Sequence, residues 1–265
     1  MDTKHQDLIH STLVSWNEAA PRHAKVNAAL QQQVQAPDFN NLNAGLHRLL
    51  QQEALENKAV LQLCCNNGID LLSVKNMGAG RCVGIDGAEN FVAQAKQLAT
   101  LAGHPDMQFD CHNIYAIPES LQQQFDIVIV TVGVLNWMPD LPAFMAVCNR
   151  ALKPGGKLFI EDIHPLLNMY DESDAGPTVQ YSYFNREPFE DTSGLDYFTG
   201  ETYEATANYW FQHTLADILQ AALKQPLQLC SFEEVAENIG NYCAELQHAP
   251  ANPPLGFVAS WQKHE

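Results

Sequence analysis

A short polar turn and an acidic residue occur at a spacing that suits a nucleotide site. The turn is the segment CCNNG at 64–68, which follows an apolar run, and Asp86 ends the next apolar run 18 residues after Gly68. A tight turn lets backbone N–H groups approach a ligand at the start of a helix, and an acid at the end of the neighbouring strand accepts hydrogen bonds from both ribose hydroxyls. Taken alone, the pair also fits an ordinary turn glycine and a helix cap.

Two histidines stand where a general base would be useful. His164 precedes Pro165, which favours an extended backbone at the carboxyl end of a strand, where open α/β sheets bind ligands. His213 precedes Thr214 at a predicted helix start, whose positive end disfavours a charged imidazole. We expect both histidines to be catalytic and to face one pocket for the substrate. The alternative for each is a hydrogen bond to the segment 165–208 with no chemical role.

The elements that must position these residues alternate between strand and helix. Five apolar, β-rich runs occur at 59–65, 81–86, 107–112, 125–132 and 157–163, with helix-length segments between them. This alternation predicts a parallel α/β sheet. Two further strands are predicted at 226–230 and 256–263. Helices are predicted along the apolar stripe from Phe91 to Ala102 and after the capping residues Asp140 and Thr214.

Two regions depart from this alternation. Residues 1–55 are predicted to form a helical N-terminal lid, interrupted at Pro21 and Pro37, ahead of a core domain at 56–265. Within that domain, residues 165–208 are rich in aromatic and acidic side chains and predict a flap inserted over the sheet. Its aromatic residues either form a small core of their own or line a pocket for an apolar or cationic acceptor.

Composition excludes several classes of partner. The 265 residues include 14 basic and 31 acidic side chains, a net charge of −17, and the basic residues are scattered. We therefore expect no binding to nucleic acid or to anionic lipid. Seven cysteines without C-x-x-C spacing predict reduced thiols and no metal site. The start of the sequence lacks signal-peptide features and no long apolar run follows, which predicts a cytoplasmic protein with no membrane partner.

A longer succession of motifs is more specific than any of these features. The segments VLQLCCNNG, GID, NIYAIP, FDIVIVTVGVLNWMPDL and RALKPGGKLFIEDIHP follow one another within about residues 56–230. Together they resemble the class I S-adenosylmethionine-dependent methyltransferases. The chain is most similar to bacterial small-molecule methyltransferases that begin with a W-x-x-x-A-x-x-H helix, matched here by Trp16, Ala20 and His23.

The resemblance implies a doubly wound, Rossmann-like sheet of seven strands, with a helical N-terminal lid and an insert after strand five. It implies S-adenosyl-L-methionine as the cofactor and a small molecule as the methyl acceptor, and it indicates neither the identity of the acceptor nor an oligomeric state.

The resemblance also implies a role for each of a set of residues. It places Cys64, Asn66, Asn67 and Gly68 against the methionine moiety, Asp86 with Gly87 at the ribose, Asn113 and the backbone of Ile114 at the adenine, Thr131 beneath the methionine end, and Trp16 and His23 above the site.

Three positions depart from the family pattern and keep two alternatives open. Gln62 stands where the first strand usually carries an acid, and Cys64 and Asn66 replace two of the usual glycines. Asn tolerates a left-handed backbone and Cys is small, so neither change excludes the cofactor. One alternative is a non-catalytic S-adenosylmethionine-binding sensor with an altered loop. The other is a dinucleotide-dependent oxidoreductase, which would need a G-x-G-x-x-G segment that the sequence lacks.

Overall fold

Seven strands form one sheet in the computed structural model, which describes residues 3–172, 176–196, 198–199 and 201–265. Strands β1 to β7 are Val60–Leu63, Cys82–Asp86, Gln108–Cys111, Phe125–Val130, Leu152–Ile163, Leu227–Val235 and Gly256–Lys263. Their order is β6-β7-β5-β4-β1-β2-β3, with β1 to β5 parallel and β7 antiparallel to both β5 and β6. The predicted seven-stranded α/β sheet is confirmed. Its order reverses direction beside β1, which opens a crevice at the carboxyl ends of the parallel strands.

Helices cover both faces of this sheet. Helices α1 to α7 are Thr3–Val26, Leu30–Gln33, Ala44–Gln51, Ile69–Asn76, Glu89–Leu101, Leu141–Ala151 and Leu215–Leu223. The predicted caps are confirmed. Asp140 Oδ1 accepts a hydrogen bond from Ala143 N at 2.9 Å. Thr214 and Asp217 form a reciprocal capping box at the start of α7.

Strand β5 is longer than the sequence pattern predicts. It begins at Leu152, directly after α6 ends at Ala151, and Leu152 pairs with Phe125 of β4. The Lys153-Pro154-Gly155-Gly156 segment lies between Leu152 and the strand predicted at 157–163, and is therefore outside that prediction. It forms the irregular first part of β5, since Gly155 adopts a φ of +73° that lets the chain turn sharply and still pair.

Part of the segment 1–55 packs against the sheet, and another part lies over the crevice. In α3, Leu46, Leu49 and Leu50 are at most 6% exposed and pack with the apolar residues on one face of the sheet. This helix therefore belongs to the core, whereas the sequence predicted the whole segment as a lid. The amphipathic spacing of α3 buries three leucines against the sheet. Composition alone does not distinguish a helix that packs on the sheet from one that covers the crevice.

Helix α1 continues through Pro21, where an interruption was predicted. A proline inside a helix leaves the carbonyl four residues earlier without its usual donor. That carbonyl belongs to Asn17, and Asn90 Nδ2 donates to it at 3.1 Å. Asn90 N also donates to Asn17 Oδ1 at 2.8 Å. A tertiary contact with α5 therefore satisfies the group that proline leaves unpaired.

The insert at 165–208 contains short pairs of strands instead of a continuous sheet. Tyr170–Asp171 pairs with Thr178–Val179, and Phe189–Asp191 pairs with Asn208–Trp210. We call the second pair the insert hairpin. Tyr209 N donates to Thr12 Oγ1 of α1 at 2.9 Å, which ties this hairpin to α1. In the described part of the chain, no helix has the length and apolar character needed to cross a membrane.

Candidate functional site

A cavity of about 870 Å³ opens at the carboxyl ends of β1, β2 and β4. Its walls come from the turn after β1, the end of β2, the loop after β4, helix α1 and the insert. Every residue that the sequence analysis assigned to the cofactor lines this cavity except Gly68. These residues come from five separate segments. Four of the segments follow carboxyl ends of parallel strands, which lie at the same edge of the sheet, and the fifth is helix α1.

The turn after β1 has an unusual backbone. Cys64 and Asn66 adopt φ values of +56° and +49°, in the left-handed region that non-glycine residues seldom occupy. Asn66 was expected to hold the turn in this way, and Cys64 does so as well. Gly68 begins α4 with a φ of +76°, and a Cβ there would lie 2.6 Å from Cε1 of Phe109. Gly68 is therefore required for packing behind the cavity wall.

Asp86 joins the end of β2 to this turn. Its Oδ2 accepts a hydrogen bond from Asn66 N at 2.8 Å, and its Oδ1 accepts one from Ala88 N at 2.9 Å. Burial raises the pKa of Asp86, while the backbone N–H donors lower it. Gly87 N–H also interacts with this carboxylate, and an ionised carboxylate has about four acceptor positions, so it can still accept a hydroxyl group from a ligand. A Cβ on Gly87 would lie 2.5 Å from Cδ2 of Leu13, so this glycine lets α1 cross close above the strand end.

A polar group closes the end of the cavity beneath the turn. Thr131 Oγ1 accepts a hydrogen bond from Gln62 Nε2 at 3.0 Å, and Gln62 Oε1 is buried with no donor among the described residues. Asp70, in the first turn of α4, accepts from Asn41 Nδ2 at 2.7 Å, and burial raises its pKa. The sequence analysis missed Asp70. Its only signal is an acid in the first turn of the helix that follows the 64–68 turn.

The opposite side of the cavity contains Asn113 and Ile114. Asn113 Oδ1 accepts from Tyr115 N at 3.0 Å and begins the short 3-10 turn Ile114–Ala116. This bond uses one of the two lone pairs on the amide oxygen, so the other and the amide N–H₂ remain for a ligand.

Aromatic side chains of α1 cover the cavity. The Trp16 ring contacts Trp137 edge to face, with the centroids 5.3 Å apart, and also contacts Phe91 at 6.0 Å. His23 is 2% exposed, and its Nε2 lies 2.6 Å from the carbonyl oxygen of Leu195 in the insert. Burial lowers the pKa of His23, which favours the neutral ring. Helix α1 and the insert therefore meet over the crevice.

Residues 60–156 match the family model of a methyltransferase domain. Over 110 residues the chain is 30% identical to the ubiquinone biosynthesis O-methyltransferase of Neisseria meningitidis serogroup C, a match covering 42% of this chain and 46% of that protein. Over 157 residues it is 31% identical to the 2-phytyl-1,4-naphtoquinone methyltransferase of Synechococcus elongatus, covering 52% and 65%. Residues 60–156 are therefore similar to a methyltransferase domain, and both of these relatives are methyltransferases by name.

Structural similarity extends further than sequence similarity. A solved structure from Listeria monocytogenes, assigned to the S-adenosylmethionine-dependent methyltransferases, superposes with a TM-score of 0.63 at 20% identity. It covers 84% of this chain and 99% of that one, and shows the shared fold. The chain spans about half the length of the curated relatives it matches, 46% in the first case.

The structure does not bring His164 and His213 together at the cavity. Neither lines it. His213 Nε2 bonds to the carbonyl oxygen of Met138 at 2.8 Å. His164 Nδ1 accepts from Leu166 N at 3.1 Å, and its Nε2 lies 3.0 Å from Oε1 of Glu234. Burial lowers the pKa of both rings. The two rings therefore do not share a pocket in this structure, and each is held outside the cavity lining by a backbone partner.

The loop after β4 depends on a residue that the sequence analysis did not single out. Asp162 Oδ1 accepts from Gly133 N at 2.7 Å and Oδ2 from Leu135 N at 2.9 Å. Burial raises the pKa of Asp162 to about 6. The sequence signal for Asp162 is an acid within an apolar strand. Asp162 fixes the loop that carries Trp137 into the cavity.

Proposed function

We propose that the protein binds S-adenosylmethionine in this cavity and transfers its methyl group to a small molecule. The observation that carries the proposal is the Asp86 carboxylate, which faces the cavity at the end of β2 and holds the 64–68 turn through Asn66. A buried acid that faces the cavity at a strand end, beside a strained turn, suits the hydroxyls of a ribose. Among the described residues no cluster of His, Cys, Asp or Glu suits a metal ion.

The fit to the cofactor extends along the cavity. We assign Asp86 and Gly87 to the ribose, Asn113 and Ile114 to the adenine, and Thr131 with the segment 64–68 to the methionine moiety. Asp70 and Gln62 add a feature that the family pattern does not contain. The unpartnered Oε1 of Gln62 needs a donor, and the nearby Asp70 carboxylate supplies the negative charge that this glutamine lacks. An ammonium group would satisfy both.

The chain's own residues then have two tasks in the reaction. The bound cofactor supplies an electrophilic methyl group on a sulfonium. The cavity walls align the acceptor with that methyl, since an in-line displacement depends mainly on orientation. The aromatic cover of Trp16, Trp137 and Phe91 excludes water from the reacting atoms. We assign no general base, because the two histidines considered for that role lie outside the cavity lining.

Helix α1 and the insert together form the cover of this site in our proposal. The contacts between His23 and Leu195 and between Thr12 and Tyr209 hold the two segments against each other. The acceptor must then enter between them or bind before they close. The insert begins after residue 156, where the match to the family model ends, so the quinone-related names of the relatives do not identify the acceptor.

Calorimetric titration with S-adenosylmethionine, S-adenosylhomocysteine and NADH tests the cofactor. We expect saturable binding of the first two and none of NADH. Binding of NADH alone would contradict the proposal and favour an oxidoreductase. Radiolabelled methyl transfer to a panel of phenols, amines and thiols then tests catalysis. Tight cofactor binding without transfer to any member would favour a sensor.

A further inference from the structure

The insert hairpin presents an alternating set of side chains to the cavity. Asp191 is opposite Asn208 in the strand register, and Phe189 is opposite Trp210. Because side chains alternate along a strand, these four share one face of the hairpin. Asp191, Asn208 and Trp210 line the cavity, and Phe189 stacks on Trp210 with the ring centroids 3.9 Å apart and an interplanar angle of 8°.

Asn208 leaves a hydrogen-bond acceptor unused at this face. The residue is 1% exposed, and its Nδ2 donates to the carbonyl oxygen of Asp191 at 3.1 Å and lies 3.5 Å from Asp191 Oδ2. These contacts fix the amide orientation and leave Oδ1 buried with no donor among the described residues. A buried acceptor without a donor is unfavourable, so the site is arranged for a ligand that donates.

The Asp191 carboxylate also has capacity for a donor. Its Oδ1 accepts from Ser193 N at 2.8 Å and from Ser193 Oγ at 2.7 Å. Among the described residues, the other oxygen has the long contact from Asn208 as its one hydrogen-bond partner. One carboxylate oxygen and one amide oxygen of two paired, cavity-lining residues therefore remain as acceptors.

The charged side chains around Asp191 and Asn208 at the cavity are acidic. Asp196 and Glu201 of the insert also line the cavity, and no lining residue in the described ranges is Lys or Arg. The sequence has none at 173–175, 197 or 200 either. Two arginines nearby are engaged elsewhere, since Arg22 lies over the Tyr203 ring at 3.9 Å and Arg186 pairs with Asp217 at 2.6 Å. An anionic acceptor would meet the carboxylates of Asp191, Asp196 and Glu201, with no Lys or Arg among the described lining residues.

We propose that the methyl acceptor carries an ammonium group, which binds between Asp191 and Asn208 while its apolar part packs on Trp210. This inference rests on the proposed function and adds the chemical class of the acceptor. An ammonium has three donors, enough for Asn208 Oδ1 and the free oxygen of Asp191. Phe189 holds the indole of Trp210 in place, so its exposed surface is a rigid apolar platform.

Three probes with one phenylethyl body and different charge test the inference. Phenethylamine, phenethyl alcohol and phenylpropionate are titrated by calorimetry into the protein saturated with S-adenosylhomocysteine. We expect the amine to bind about 10- to 100-fold more tightly than the alcohol, as a hydrogen bond to a charged group allows, with the acid weakest. Equal affinities, a preference for the acid, or no binding of the amine would overturn the inference.

Matched variants locate the ammonium site. Asp191→Asn keeps the shape and removes the charge, so the amine should lose about tenfold or more in affinity while the alcohol stays within about twofold. Asn208→Ala should weaken the amine in the same way. Glu190→Gln is the control, because Glu190 lies between Phe189 and Asp191 on the other face of the hairpin and bonds to Tyr209. An amine preference that survives both variants would contradict the assignment.

Cofactor binding separates this test from that of the proposed function. S-adenosylhomocysteine affinity and melting temperature are measured for every variant. The affinity should match the unmodified protein, and a lower melting temperature at unchanged affinity reports only the lost hydrogen bonds within the insert. If S-adenosylhomocysteine fails to bind the unmodified protein, the proposed function fails. If it binds and the amine shows no preference, only the acceptor class is wrong.

Discussion

Replacing Asp86 by Asn tests the cofactor site most directly. In the folded protein both carboxylate oxygens accept backbone N–H groups, from Asn66 at 2.8 Å and from Ala88 at 2.9 Å. The Asn side chain has one oxygen and one N–H₂ group, so one backbone donor loses its acceptor and the charge is lost. Two ribose hydroxyls would then bond to a neutral side chain. We expect S-adenosylhomocysteine affinity to fall by about 1–3 kcal/mol, which is about 5- to 150-fold in Kd.

The affinity is measured by titration, and the control is the same substitution on the neighbouring strand. Isothermal titration gives Kd, and thermal melting measured separately reports the loss of the backbone contact. Asp110→Asn makes the same chemical change on the neighbouring strand β3, where the side chain is exposed outside the cavity. It should leave Kd within about twofold, well under 1 kcal/mol. If Asp86→Asn folds and binds with unchanged Kd, Asp86 does not contact the ribose and the assignment of the second strand is wrong.

Three further changes probe the wall of the site and its surroundings. Gly68→Ala should lower the melting temperature, because the Cβ would lie 2.6 Å from Phe109 Cε1 at a φ of +76°; an unchanged melting curve would contradict that packing. His213→Ala should lower the melting temperature without changing S-adenosylhomocysteine Kd, since the ring bonds to Met138 outside the cavity; a turnover loss of about 10²-fold or more at unchanged stability would restore a catalytic role. Asp162 has a raised folded pKa, so its ionisation removes stability as pH rises from its ordinary 3.8 through about 6. The unmodified protein should therefore lose melting temperature relative to the Asp162→Asn variant as the pH rises over that interval. A mobility shift at low salt should show no binding of tRNA or duplex DNA, given the net charge of −17; salt-sensitive binding would reveal a basic patch formed by folding.

Local patterns in the sequence determined most of the sheet. Apolar, β-rich runs between helix-length segments predicted strands β1 to β5. The signal is strongest for β1 and β4, because a parallel strand buried on both faces reads as a continuous apolar run. Caps at Asp140 and Thr214 fixed two helix starts, because a capping side chain bonds to backbone N–H groups only a few residues away. Asp86 and the 64–68 turn could be paired in advance because the spacing of a βα unit is nearly constant.

Only the tertiary structure decided features whose partners lie far apart in sequence. Helix α1 continues through Pro21 because Asn90 reaches the Asn17 carbonyl. His213 is fixed by Met138, 75 residues away, which no local pattern could indicate. The acceptor oxygen of Asn208 became visible only after its neighbours were in place, since an unsatisfied group is defined by what surrounds it. The sequence determines which segments pair locally, and the packing of those segments decides which polar atoms remain for a ligand.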